Sequence, residues 1–184
     1  MDTVYRENGY MPCWIVSRES QMAGLDVSLV KNGIWYLVDE KAAITRLDGN
    51  LSTFAFELYT SNNVDNIGWF VNKKCKNNYY SLIYLTSFAN NIQKIDRIEC
   101  ILLNKDRIFK AVTSELNKRN IHFNNILDVM SKIPLASNGK KYLRLNKYMK
   151  IVYSLNVIPE SPINVVVDKQ YLLSIADDVL VKEF

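Results

Sequence analysis

Asp26, Asp39 and Lys41 are the residues whose types and spacing could do chemistry together. They lie in GLDVSLVKNGIWYLVDEKA, residues 24–42, where two runs rich in Val, Leu, Ile, Trp and Tyr flank Asn32-Gly33. That dipeptide tolerates the positive φ values of a type I′ turn, so the stretch reads as a β-hairpin. A two-residue loop pairs Lys31 with Ile34 and, counting outward, Leu29 with Tyr36 and Val27 with Val38, which puts Asp26 opposite Asp39. Alternation then sets Asp26, Asp39 and Lys41 on one face and Val27, Leu29, Tyr36 and Val38 on the other. Facing carboxylates destabilise a sheet by up to ~1 kcal/mol. A hard cation between them reverses that sign, because Mg²⁺ is commonly held by one or two carboxylates plus substrate phosphate oxygens. Lys41 could orient a water or stabilise developing negative charge, which outlines a hydrolytic site. The bland alternative is a solvated strand end, with a longer loop or a bulge carrying Asp26 off the pairing.

These residues resemble a known family. Asp26, a 12-residue gap and then Asp39-Glu40-Lys41 are similar to the core of the PD-(D/E)XK nuclease superfamily, with Leu25 where the pattern has proline. The likeness spans about residues 17–59. It implies a restriction-endonuclease-like fold, a central mixed β-sheet flanked by helices, formed as one domain over residues 1–184. It further implies a nuclease, an endonuclease in preference, that hydrolyses DNA phosphodiester bonds with Mg²⁺ or Mn²⁺. Asp26 and Asp39 would be metal ligands and Lys41 the catalytic lysine, with Glu19 matching an acidic residue that the family often carries ahead of the first motif strand. The other readings are a catalytically inactive module on the same fold that binds nucleic acid or protein, and an unrelated α/β protein. Whether a homodimer is needed to cut both strands stays open.

Composition narrows the classes. A chain of 184 residues that is 48% hydrophobic, with 21 aromatics, suits a folded core. Cys13, Cys75 and Cys100 are scattered without metal-ligand spacing, and no apolar run approaches a membrane span, so the expected setting is cytoplasmic. The single histidine, His122, falls in a loop-like NIHFNN stretch and leaves few ligands for a zinc site or partners for a Ser-His or Cys-His site. Residues 1–60 carry eight acids and five bases, whereas residues 61–184 carry eleven acids and eighteen bases. An acidic cation-holding part beside a basic remainder fits a protein that meets phosphate.

Other elements must position these groups. Residues 1–10 suit a short helix, Met11–Val16 an extended run, and Ser17–Gln21 a polar connector on which Glu19 and Gln21 would point the same way. Ala42 to Asn50 suits a turn of helix that closes at Asp48-Gly49-Asn50. STFAFELYT then reads as a strand with Phe54, Phe56 and Leu58 on one face and Glu57 on the other, either a further ligand, a group orienting Lys41, or an exposed acid. IGWFV and YYSLIYL read as a second hairpin across a loop bearing Lys73, Lys74 and Lys76, which either touches phosphate or guards a strand edge. Tyr84–Asn91 reads as a connector, Ile95–Asn104 as a buried strand and Lys105–Arg119 as an amphipathic helix. The window GKKYLRLNKYMK carries Lys140, Lys141, Arg144, Lys147 and Lys150 with Tyr142 and Tyr148 interleaved, either a phosphate-contacting surface or a plain solvated face. INVVV reads as a strand, and Asp168 as the cap of a last helix reaching about Val179.

Overall fold

The computed structural model describes residues 1–45, 51–60, 67–88, 91–157 and 161–184, with the side chains of 44–45, 87–88 and 91–94 left out of the account. In chain order the elements are α1 (Asp2–Glu7), β1 (Met11–Trp14), α2 (Arg18–Met22), β2 (Val27–Lys31), β3 (Ile34–Thr45) and β4 (Thr53–Tyr59). Then come β5 (Tyr79–Phe88), β6 (Asn91–Asn104), α3 (Lys105–Asn117) and, after a 3-10 turn at Phe123–Asn125, α4 (Ile126–Ser131). Strands β7 (Lys140–Arg144), β8 (Met149–Ser154) and β9 (Ile163–Asp168), helix α5 (Lys169–Ser174) and β10 (Asp178–Glu183) complete the chain. The class is mixed α/β.

Two units can be drawn. The first holds residues 1–52, 74–107 and 172–184 and is built on a six-stranded sheet in the order β1-β2-β3-β5-β6-β10. Its strands pair antiparallel except β3 and β5, which run parallel, so the sheet is mixed. One face buries Val27, Leu29, Val38, Ile83, Leu102 and Leu180 beneath Val4 and Tyr5 of α1. The second unit, residues 53–73 and 108–171, carries the antiparallel sheet β4-β9-β8-β7. Phe54, Phe56 and Leu58 alternate into its core, and Phe56, Phe70, Phe109 and Phe123 follow one another at ring separations of 5.0–5.6 Å. Ile108, Val112 and Leu116 supply the buried stripe of α3, the helical spacing read from sequence.

The central hairpin forms in the expected register. Asn32 and Gly33 take φ of +52° and +76°, the pair of left-handed values a type I′ turn requires, and Val27 faces Val38. Five expectations differ. Ser17–Gln21 is not extended: Ser17 caps α2, its hydroxyl accepting from the Ser20 amide at 3.5 Å, and five residues without a β-branch follow as helix. Ala42–Thr45 is not a helical turn, because the parallel partner β5 draws β3 onward through Ala42↔Ile83 to Thr45↔Thr86; Asp48-Gly49-Asn50 lies outside the described residues. Ile67–Val71 does not pair with Tyr79–Leu85. It folds back on the end of β4, with the Gly68 amide on the Leu58 carbonyl at 2.9 Å. Only glycine fits there, since a Cβ on Gly68 would lie 2.4 Å from the Glu57 carbonyl oxygen. Tyr84–Asn91 is largely strand rather than connector. The last helix stops at Ser174, and Asp178–Glu183 becomes the edge strand β10, with Leu180 buried between exposed Val179 and Val181.

Candidate metal centre

The ladder between β2 and β3 ends at Val27↔Val38, and Asp26 bends across its end. Its amide donates to the Val38 carbonyl at 3.0 Å, its carbonyl accepts from the Ile15 amide at 3.0 Å, and its Oδ2 accepts from the Glu40 amide at 2.8 Å. Two main-chain bonds, to Val38 of β3 and to Ile15 just after β1, thus fix the Asp26 backbone, and the Glu40 amide holds its carboxylate against β3. There its negative charge acts on the Asp39 carboxyl. The Lys41 ammonium completes the group by pairing with Asp39 Oδ1. The structure therefore brings Asp26, Asp39 and Lys41 together, although Asp26 arrives by a bend and not by continued pairing.

Burial sets the electrostatics. Only 3% of the Asp39 side chain is exposed, against 28% for Lys41. Desolvation pushes the Asp39 carboxyl up to about 6; the Lys41 charge and hydrogen bond pull it back, while the neighbouring Asp26 carboxylate pushes it further up. A carboxyl raised in this way favours its protonated form, and a bound cation is the alternative to that proton. The donors are hard oxygens with no imidazole or thiolate among them, which fits Mg²⁺ or Mn²⁺ and not zinc. Among the described residues no three His, Cys, Asp or Glu side chains come together as a metal-holding group. Two carboxylates nevertheless suffice for an ion that keeps several waters and takes phosphate oxygens from its substrate.

Glu40, between the two, points the other way. Its Oε1 accepts from the Tyr5 hydroxyl at 2.6 Å, Tyr5 meets Ser81 Oγ at 2.8 Å, and Ser81 meets Cys100 Sγ at 2.9 Å. Burial raises the Glu40 carboxyl and pushes the Cys100 thiol up to about 12. Asp39-Glu40-Lys41 is thus divided by the pleat: two residues serve the candidate centre and the middle one belongs to a polar network in the core.

Sequence reasoning missed the wall of the site. The loop before β5 is stitched in place by its asparagines, with Asn78 Oδ1 accepting from the Leu37 amide at 2.8 Å and the Asn78 amide donating to the Leu37 carbonyl at 3.0 Å. Lys105, the first residue of α3, donates to Asn77 Oδ1 at 2.9 Å and feels the charges of Cys75 and Asp39; burial lowers its pKa. No sequence signal pointed to Lys105, because the pairing of Leu103 with Tyr80 and of Tyr80 with Asp39 that brings the start of α3 to this group is tertiary. Reading residues 72–78 for lysines concealed the work of its asparagines.

The other candidates belong to other elements. Glu19 is exposed in the first turn of α2, and Gln21 donates to the Ile15 carbonyl at 2.9 Å. Glu57 lies on β4 of the second unit, in register with Asn164. Lys73, Lys74 and Lys76 are exposed in their loop. Lys140, Lys141, Arg144 and Lys147 belong to the second unit, on β7 and the turn after it, and Lys141 donates to the Ser131 carbonyl at 2.8 Å.

Compared with family models, with curated proteins and with solved structures, the chain matches none. Functional inference therefore rests on the chain's own residues. No helix is long and apolar enough to cross a membrane among the described residues.

Proposed function

We propose that this chain is a nuclease that hydrolyses DNA phosphodiester bonds with Mg²⁺ or Mn²⁺, on a restriction-endonuclease-like fold. The observation that carries the reading is the buried Asp39 carboxyl between half-buried Asp26 and the Lys41 ammonium, at one end of the β2–β3 hairpin. Asp26 and Asp39 would hold the ion, which when bound supplies charge stabilisation at the phosphate and a more acidic water. Lys41, a third exposed, reaches solvent from the same face and would hold the attacking water against phosphorus or balance charge on a non-bridging oxygen. The Glu40 amide keeps Asp26 turned towards β3, and the buried surroundings of Asp39 keep every one of these interactions strong. The proposed site is complete without Glu40, whose carboxyl is engaged by Tyr5.

The test is metal-stimulated nicking of supercoiled plasmid, with DNA binding measured separately in EDTA. Wild type should nick with Mg²⁺ or Mn²⁺, and Asp39→Asn and Lys41→Ala should each fold and bind DNA without nicking. Full activity in either variant contradicts the assignment, and binding without any nicking by wild type leaves a binding module.

A further inference from the structure

The second unit carries a pocket of its own. Arg144, Lys147, Lys150, Tyr148, Thr53 and Asp168 line a cavity of about 180 Å³ at one end of the sheet. That is below the ~300 Å³ of a small-molecule pocket and on the scale of one charged group. It lies on the sheet face opposite the Phe54-Phe56 core, where Val166, Lys150 and Arg144 stand in direct register across β9, β8 and β7. Arg144 opposite Lys150 is a like-charge pair, which destabilises a sheet. No ion pair among the described residues involves Arg144, Lys147 or Lys150. The two lysines lie over rings: Lys147 Nζ is 4.6 Å from the centre of Tyr148 and Lys150 Nζ 5.8 Å from that of Tyr142. Asp168 is the one acid in the lining, and its Oδ1 already accepts from the Gln170 amide at 2.8 Å.

The pocket is also built rather than incidental. Asn146 Oδ1 accepts from the Tyr148 and Met149 amides at 2.7 and 2.8 Å, which shapes the turn presenting Lys147. The Arg119 guanidinium holds the Leu145 carbonyl through two bonds of 3.2 and 3.1 Å. Tyr148 is propped by Tyr171 at 5.5 Å. Three cations held around a hollow the size of an oxyanion favour a tetrahedral anion with several acceptor oxygens.

We infer that Arg144, Lys147 and Lys150 form a binding site for a backbone phosphate group of the nucleic acid, separate from the candidate metal centre. That the phosphate belongs to nucleic acid rests on the proposed function; that the pocket takes an oxyanion rests on the pocket alone. The site would grip substrate without taking part in hydrolysis.

The experiment is fluorescence anisotropy of a labelled DNA duplex in EDTA, over a series of salt concentrations. Arg144→Gln with Lys150→Gln should weaken binding about tenfold and lower the slope of log K against log salt by about one. The charge-preserving pair Arg144→Lys with Lys150→Arg should keep the slope, as should Lys132→Gln at the exposed residue that follows α4. Titration with inorganic phosphate alone distinguishes the sources, and millimolar or weaker affinity is expected. Unchanged affinity and slope in the Gln pair, no duplex binding by wild type, or tight binding of free phosphate without any effect on the duplex overturns the site. A variant effect in a protein that never nicks plasmid supports the site and removes the nuclease reading alone.

Discussion

Two places in this chain set like charges against each other near a strand pairing, and they are treated oppositely. Half-buried Asp26 meets buried Asp39 in the first unit, where the conflict is expressed as an Asp39 carboxyl raised to about 6. Arg144 and Lys150 face each other on an open sheet of the second unit, exposed, with water to screen them. A buried conflict must be resolved by a proton or an ion in a fixed place, which suits chemistry. An exposed one is resolved by any anion that arrives, which suits binding.

The sharpest way to break that contrast is to remove charge at the buried end. Asp39→Asn should lower metal-dependent cleavage by at least about a hundredfold, while DNA affinity in EDTA stays within about twofold of wild type. An Asp39→Asn protein that cleaves normally would make the buried pair a structural accident.

The same variant should gain stability. The Asp39 carboxyl is raised in the folded state above its ordinary value near 4, so between about pH 4 and 6 the folded form binds more protons than the unfolded form. Its stabilising contribution is full below about pH 4 and is lost as pH rises through about 6. Without metal, wild type should lose roughly 2 kcal/mol across that window, and Asp39→Asn should not, giving a higher Tm at pH 7. Thermal melts at pH 4, 5, 6 and 7 in EDTA check this, and a wild-type Tm that climbs through the window by more than that of Asp39→Asn contradicts it.

Tyr5→Phe sharpens the comparison from the other face of β3. It removes the donor to the buried Glu40 carboxyl, at a cost of about 1–3 kcal/mol in denaturant melts, with kcat for cleavage unchanged. A variant as stable as wild type but inactive would place Glu40 in the chemistry after all. The smallest effect is expected at the exposed pair. Arg144→Gln should shift stability by less than about 0.5 kcal/mol, even where it weakens DNA binding. A large loss of stability would show that Arg144 serves the fold.

What could be read in advance divides along local and non-local lines. The hairpin register followed from Asn32-Gly33 alone, because a two-residue turn leaves one pairing, and the face of Asp39 and Lys41 followed from parity. The Phe54-Phe56-Leu58 strand and the Ile108-Val112-Leu116 stripe were equally local. Asp178–Glu183 was lost because DVLVKE has no helix or strand preference strong enough to compete until β6 offers an edge. Ala42–Thr45 was misread for the same reason, since its strand state comes from a parallel partner some forty residues on. Within the site, the bend at Asp26 and the approach of Asn77 and Lys105 depend on backbone bonds between distant segments, which no spacing encodes. Glu19 misled because Ser17 starts a helix where an extended connector was expected.

The most direct test of the central claim is a crystal soaked with Mn²⁺ and measured at the manganese absorption edge. The account predicts an anomalous peak between the carboxylates of Asp26 and Asp39, with Lys41 turned from Asp39 towards the solvent side and no peak in Asp39→Asn. A wild-type crystal that gains no peak there at saturating Mn²⁺, or one whose Lys41 ammonium still sits on Asp39 in the presence of the ion, would contradict it.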